Sequence, residues 1–271
     1  MILIRLTFFK WFQTMKVSWS EIFVYRVNFV LMVIGPMLVF FFIKYNLWSS
    51  IYQDAPEQGL QGYTFDQMIA YHLWFLIVSI LGMAYSSTNL AEEIRLGRIS
   101  SYLIYPFSLW EATAARYLSI QIIQIGTATL TLAGVYWMLG HVLGDFNPVA
   151  FFQGIGICFL VGLFWFWMQY IIGLLAFWLE ETWIFRVLLQ IIAYFLSGAI
   201  IPLEFYPAWL VQLLDYSPFP FLAYIPVKIF LGSYTAPLKA AVILLVWILL
   251  SAGFAAWIWK RGLKLYTAAG M

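Results

Sequence analysis

Six stretches of this chain, roughly residues 26–48, 67–90, 117–139, 149–179, 184–203 and 237–259, are almost free of charge and rich in Leu, Ile, Val and Phe. Each reaches the length of about 20 residues that a helix needs to cross a bilayer. Nothing else in the sequence constrains the fold so tightly. Each stretch therefore reads as a bilayer-crossing helix. Only 10% of the residues are charged, against about 25% in an ordinary soluble domain. Such a chain cannot cover itself with polar surface in water, so lipid is its main solvent. The expected fold is an all-α membrane protein with six transmembrane helices in a single domain over residues 1–271.

Orientation follows from where the charges fall. With both termini in the cytoplasm, only Lys44, Lys228 and Lys239 of the 14 basic residues lie on the outer side. The acids divide evenly and do not orient the chain. The positive-inside rule therefore selects this topology. Trp and Tyr at the span ends, among them Tyr25, Trp48, Trp137, Trp183, Trp257 and Trp259, are read as interfacial belts. Arg5, Lys10 and Lys16 interrupt the first apolar residues and no small-residue cleavage site follows, so the N-terminus is expected to stay on the mature protein. Cys158 is the single cysteine, which excludes an internal disulfide and CxxC metal chemistry.

Two regions are not plain spans. Over residues 4–22, Ile4, Phe8, Trp11, Met15, Trp19 and Ile22 step by three or four and form one helical stripe, with Arg5, Lys10 and Lys16 beside it. That pattern suits a helix lying in the cytoplasmic interface, and an ordinary packing helix is the alternative. Residues 204–236 belong to a segment holding six of the ten prolines, Pro202 to Pro237, yet it is full of aromatic and aliphatic side chains. Proline forbids a continuous helix, and irregular backbone at membrane depth survives only when buried in protein or lining a cavity. A re-entrant outer cap of short helices meets both conditions; an apolar external subdomain is the alternative.

No Walker A, HExxH, GxSxG or EF-hand pattern occurs. His72 and His141 lie near outer span ends and read as interfacial polar residues. All twelve acids fall in loops or near span ends, whereas proton- or ion-driven carriers place ionisable groups inside the bundle. If the chain transports, the work comes from a partner. The loop between the second and third spans is the candidate receiver. Gly97 can end the preceding helix in the left-handed conformation, Pro106 disfavours helix at Tyr105, and about two helical turns fit between them. Tyr102, Leu103 and Tyr105 give that loop an apolar knob, which either fits a groove on another protein or folds back on its own helices. Polar residues inside spans, namely Gln124, Thr127 and Thr131 on one face of the third, Gln169 and Gln190, are candidate pathway residues; their alternative role is interhelical glue.

The stretch from Ile94 through Gly97 to Pro106-Phe107 resembles the cytoplasmic motif of ABC type-2 exporter permeases, in a subgroup of uncharacterised bacterial permeases. Tyr25-Arg26-Val27-Asn28-Phe29, the segment Ser197-Gly198-Ala199-Ile200-Ile201-Pro202-Leu203 with the prolines after it, and Arg261-Gly262-Leu263-Lys264-Leu265-Tyr266 with Gly270 are similar to that family in the same order. Tyr105 stands where family members often carry a basic residue. The resemblance implies a permease subunit with an N-terminal interfacial helix, a coupling helix and re-entrant outer helices before the last span. Arg98, Ile99, Tyr102, Leu103, Tyr105 and Pro106 would meet the ATPase. It implies two ABC ATPase subunits as partners, which bind the ATP and Mg so that this chain carries no cofactor, and a second permease subunit, with a heterodimer favoured. It also implies the inner or plasma membrane of a bacterium, membrane lipid as the surroundings and no nucleic-acid partner. The expected substrate is hydrophobic or amphipathic: a lipid, a glycolipid or a drug-like cation, the last suggested by an aromatic content of 21%. A membrane scaffold without transport and a secondary carrier are the competing readings.

Overall fold

The computed structural model describes residues 2–24, 26–53, 59–83, 88–104, 107–143 and 146–266. These form eleven α-helices: α1 (Ile2–Val24), α2 (Arg26–Gln53), α3 (Phe65–Gly82), α4 (Thr88–Arg95), α5 (Ile99–Ile104), α6 (Leu109–Leu143), α7 (Pro148–Leu174), α8 (Trp183–Leu196), α9 (Ala208–Leu214), α10 (Tyr224–Phe230) and α11 (Pro237–Gly262). Short 3-10 turns lie at Leu175–Phe177, Leu203–Phe205 and Phe219–Leu222.

Helix starts are written locally. Thr64 and Gln67 form a reciprocal capping box at α3, and Ser108 with Glu111 does the same at α6. The Asn147 side chain accepts from the amides of Val149 and Ala150, and Pro148 takes the first turn of α7. Among the described residues, four helical stretches are long and apolar enough to cross a membrane: Phe65–Gly82, Leu109–Gly140, Pro148–Phe177 and Pro237–Gly262. The first expected span falls within α2, 28 residues long.

Two expected spans need correction. The second, 67–90, is no single helix: α3 stops at Gly82 and α4 starts at Thr88, so Gly97 closes α4. The fifth, 184–203, contains a helix of only 14 residues, α8. At 1.5 Å per residue it covers about 21 Å, short of the roughly 30 Å core. The belt reading also fails at Trp48, which is 3% exposed, and His72 is buried as well. The indole Nε1 donates to His72 Nε2 at 2.7 Å, a pairing inside the bundle that spares both polar atoms from lipid. Tyr25 and the side chain of His141 lie outside the described residues.

Helix α3 is central: fourteen of its residues, from Met68 to Gly82, are buried. It is flanked by α2, α6, α7 and α10. Helix α1 runs along the start of α6, where Trp19 Nε1 donates to the Ser119 carbonyl at 3.0 Å and the Ser119 hydroxyl donates to the Met15 carbonyl at 3.2 Å. Trp11 meets Trp110 edge to face. Trp11 and Trp19 of the α1 stripe thus pack against α6, while Phe9, Phe12, Phe23 and Val24 are exposed and the side chains of Ile4 and Phe8 lie outside the described residues.

The proline-rich segment turns inward. Ile225, Val227, Ile229 and Phe230 of α10 are buried against α3 and α7. Phe230 stacks on Trp74 with ring centroids 4.5 Å apart, and its ring lies where a Cβ on Gly154 would sit, at 2.5 Å. Gly154 therefore admits α10 to the surface of α7. Ten residues further along α7, Phe164 and Trp165 share a cavity wall with Phe219 and Leu222. The segment thus follows α7 for about 15 Å.

A polar cluster pins the outer side of this segment. One oxygen of Glu204, Oε1, accepts from Lys228 Nζ at 2.9 Å, Tyr224 at 2.7 Å and Tyr63 at 3.1 Å. Lys228 also sits 4.8 Å from the Tyr63 ring centroid, within cation–π range. Glu204 lies outside the spanning helices. Burial pushes its carboxyl up, but the hydrogen bonds and charge from Lys228 and Tyr224 outweigh that and leave it below its ordinary value.

Two outcomes are expected. Gly154→Leu should lower thermal stability in detergent by about 1–3 kcal/mol, the usual cost of overpacking. Gly156→Leu, where a Cβ meets nothing within 4 Å, should leave it nearly unchanged. For Glu204 the folded-state pKa is the lower one, so its contribution is present above the ordinary carboxylate pKa and is lost as pH falls through the folded value. Unfolding temperatures measured from pH 7 down to about pH 3 should fall more steeply for wild type than for Glu204→Gln; parallel curves would contradict the assignment.

Candidate functional site: the Gly97–Leu109 loop

The loop is built by a Schellman closure. Gly97 has φ +71°, the Arg98 amide donates to the Glu93 carbonyl at 2.9 Å and the Gly97 amide donates to Ile94 at 3.1 Å. These are the two bonds of that motif, and the left-handed residue favours glycine. The chain reverses there and enters α5.

Helix α5 is tied on three sides. Ile99 is fully buried in one cluster with Leu90, Ile94, Leu109 and Phe177. The hydroxyl of Tyr266, beyond the end of α11, donates to the Gly97 carbonyl at 2.7 Å and lies 2.7 Å from the Ser100 hydroxyl. Arg116 of α6 pairs with Glu93 of α4 at 2.6 Å, and its other terminal nitrogen donates to the Tyr102 hydroxyl at 3.4 Å. The Tyr102 phenol is pushed above its ordinary value by burial and then by the Glu93 charge, with Arg116 pulling the other way. The Glu93 carboxylate is only 12% exposed, so removing one partner of this pair costs more than breaking the open Arg95–Glu181 contact at 3.3 Å.

The six residues expected to meet a partner therefore separate. Arg98 and Leu103 face outward. Ile99 and Tyr102 turn inward and hold the helix. Tyr105 and Pro106 lie outside the described residues. Ile104, not among the expected residues, is 81% exposed and Leu103 is 56% exposed, so the apolar knob is Leu103-Ile104. The signal was available: in a six-residue helix, Ile99 and Tyr102 are i and i+3 and share a face, which turns the following two residues away.

The candidate pathway residues do not gather. Gln124 is buried on α6, where Thr127 and Thr131 are half-buried; Thr127 donates to the Ile123 carbonyl at 3.0 Å in its own helix. Gln169 is buried in α7 and Gln190 is exposed on α8. None of the five lines the cavities beside the α7–α11 contact or the one between Met15, Leu118 and Cys158. Gln121, not among the expected residues, bridges α6 to α3: its Nε2 donates to the Leu81 carbonyl at 3.1 Å and, within α6, to the Tyr117 hydroxyl at 2.7 Å. Among the described residues, no three His, Cys, Asp or Glu side chains gather as for a metal ion.

A bundle of apolar helices, four of them among the described residues long enough to cross a membrane, defines an integral membrane protein. The chain belongs to the ABC-2 transporter family: the family model described as ABC-2 family transporter protein matches residues 37–270. It is a permease of an ABC transporter, and the family implies an ABC ATPase as partner. No curated protein and no solved structure matches the chain.

Tyr266→Phe removes the hydrogen bond to Gly97 and leaves the ring. Amide hydrogen exchange in detergent should speed up across residues 97–104 by roughly fivefold, corresponding to a bond worth about 1 kcal/mol. Exchange elsewhere should be unchanged, and an unaltered loop would show that Tyr266 does not hold it.

Proposed function

We propose that this chain is the membrane-spanning subunit of an ATP-driven exporter that moves a hydrophobic or amphipathic substrate, such as a lipid, a glycolipid or a drug-like cation, outward. In this reading it crosses the inner or plasma membrane of a bacterium six times with both termini in the cytoplasm, the fifth crossing being made by α8 together with the Ser197–Leu203 stretch that follows it. Helix α1 lies at the cytoplasmic interface, and the segment 204–236 is a re-entrant cap. Two copies of a separate ATPase bind the ATP and Mg, and a second permease chain, different from this one, completes the pathway.

The observation that supports it most is the geometry of α5. A coupling element must be stiff towards its own domain and sticky towards its partner. Helix α5 is braced by Tyr266 and by the Glu93–Arg116 pair, while Leu103 and Ile104 stand free of their own bundle. Closure of the ATPases would push on residues 98–106, and the braces would pass that push to α4, α6 and α11 together. The α8 surface, with Ile184, Leu188, Ile191, Ile192 and Phe195 exposed, supports a second permease against that face, since a helix that short gains from protein cover.

Leu103→Ala with Ile104→Ala should weaken association with the ATPase by tenfold or more, as loss of two buried anchors does at roughly 1–2 kcal/mol each. The check is a gentle-detergent pull-down with ATPase turnover measured on the eluate. Trp209→Ala, 67% exposed in α9, is the control and should change neither. Unaltered recovery and turnover in the double variant would sink the coupling role.

A further inference from the structure

A furrow runs along the outer side of the α7–α11 contact. Its inner part is a cavity of about 370 Å³, walled by Trp165, Met168, Leu189, Trp247 and Ser251. Its other part, about 590 Å³, is walled by Leu175, Trp178, Trp257, Arg261 and Lys264. Phe254 belongs to both walls, so the two adjoin at that side chain. Among the residues that line it, Trp247, Ser251, Phe254, Ile258 and Arg261 of α11 step by three or four along the helix, with Leu250 and Trp257 beside that row.

The furrow has the chemistry of a lipid. Towards Trp247 it is apolar apart from the Ser251 hydroxyl, which lies 4.0 Å from Met168 Sδ. At its other end Arg261 and Lys264 are both exposed, and no carboxylate is among its lining residues. Among the described residues no salt bridge engages either cation. The Arg261 guanidinium instead lies 5.7 Å from the Trp257 ring centroid, an amphipathic arrangement typical of a membrane boundary. Ten residues separate Ser251 from Arg261, about 15 Å of helix. That is the depth of one leaflet of a hydrocarbon core roughly 30 Å thick. A ligand with an anionic head and one leaflet's length of hydrocarbon matches both ends.

We infer that the α7–α11 furrow binds an anionic phospholipid. Its phosphate sits at Arg261 and Lys264, and one acyl chain runs past Phe254 into the Trp165–Met168–Trp247 cavity. Tyr266 carries this end of α11 to Gly97, so the headgroup lies in the leaflet that faces α5. That leaflet is the cytoplasmic one on the topology proposed above, where anionic lipids attract basic residues at the surface. The site goes beyond the transport reading and needs no ATPase for its occupancy. The bound lipid would fill the space beside α11 and neutralise two cations next to the segment that braces the coupling helix.

The test uses the full chain in nanodiscs of phosphatidylcholine doped with a phosphatidylglycerol that carries a photoreactive group near the end of one acyl chain. Labelled peptides are mapped by mass spectrometry. Labelling should concentrate on Met168, Trp247 and Phe254, and extra unlabelled phosphatidylglycerol should compete where extra phosphatidylcholine does not. Arg261→Gln with Lys264→Gln should cut the preference for phosphatidylglycerol roughly thirtyfold, the weight of two basic residues at an anionic surface. Lys239→Gln, at the opposite end of α11, should leave it unchanged. Because the competition is read on the wild-type protein, the result stands even if the double variant misfolds. Labelling spread evenly over the exposed helices, equal competition by both lipids, or cross-links to a second copy of the chain in place of lipid would each overturn the assignment. Failure of ATPase recovery with intact site-selective labelling would overturn the exporter reading and leave this site standing.

Discussion

A helix that ends inside an apolar protein leaves carbonyl groups that no water can serve, and each costs several kcal/mol if left unanswered. Helix α8 ends at Leu196, and the carbonyls that follow are answered from three directions. The Tyr224 amide at the start of α10 donates to Ser197 at 2.9 Å. The Tyr71 hydroxyl of α3 donates to Gly198 at 2.7 Å, and Lys44 of α2 donates to Ile200. A single break therefore collects α2, α3 and α10 around itself. The inward course of the proline-rich segment and the buried position of α3 depend on that convergence.

Burial completes what those bonds begin. Trp74 and Phe230 stack in parallel, and Gly154 opens the surface of α7 to the same ring. Glu204, Lys228, Tyr224 and Tyr63 close the outer end. The cap is held by packing at its deep end and by charge at its shallow end, so solvent acidity reaches one end and not the other. At the far side of the bundle the same division recurs. Ile99 anchors α5 by burial, while Tyr266 and the Glu93–Arg116 pair brace it with polar contacts. Both segments that interrupt the long helices are thus held by buried apolar contacts together with polar ones.

The family match begins at residue 37 and runs to residue 270, so it takes in every element of this framework from Lys44 to Tyr266. Of the stretches that carry the resemblance, three have a structural role here. The Ile94–Gly97 stretch is the Schellman closure, the Ser197–Leu203 stretch is the served break after α8, and the Arg261–Tyr266 ending is the brace on α5. The basic pair Arg261 and Lys264 has no partner in that brace and faces the furrow instead.

The sequence alone determined the solvent, the helical class, the family and the presence of a short helix after Gly97, because hydropathy, run length and the glycine and proline positions act locally. It also indicated an inward-folding segment from the conflict between its prolines and its apolar side chains. Only the tertiary structure decided which faces are inside. In water, an apolar stripe marks the core; in lipid both the core and the exterior are apolar, so the stripe no longer distinguishes them. That is why Trp48 and His72 read as boundary residues and are a buried pair, and why Trp11 and Trp19 of the α1 stripe pack against α6. It is also why Gln124, Gln169 and Gln190 could not be assembled from spacing into one pathway. The length of α8 and the outward turn of Leu103 and Ile104 were settled by contacts with Tyr71, Tyr224, Arg116 and Tyr266, residues distant in the chain whose meeting no local pattern records.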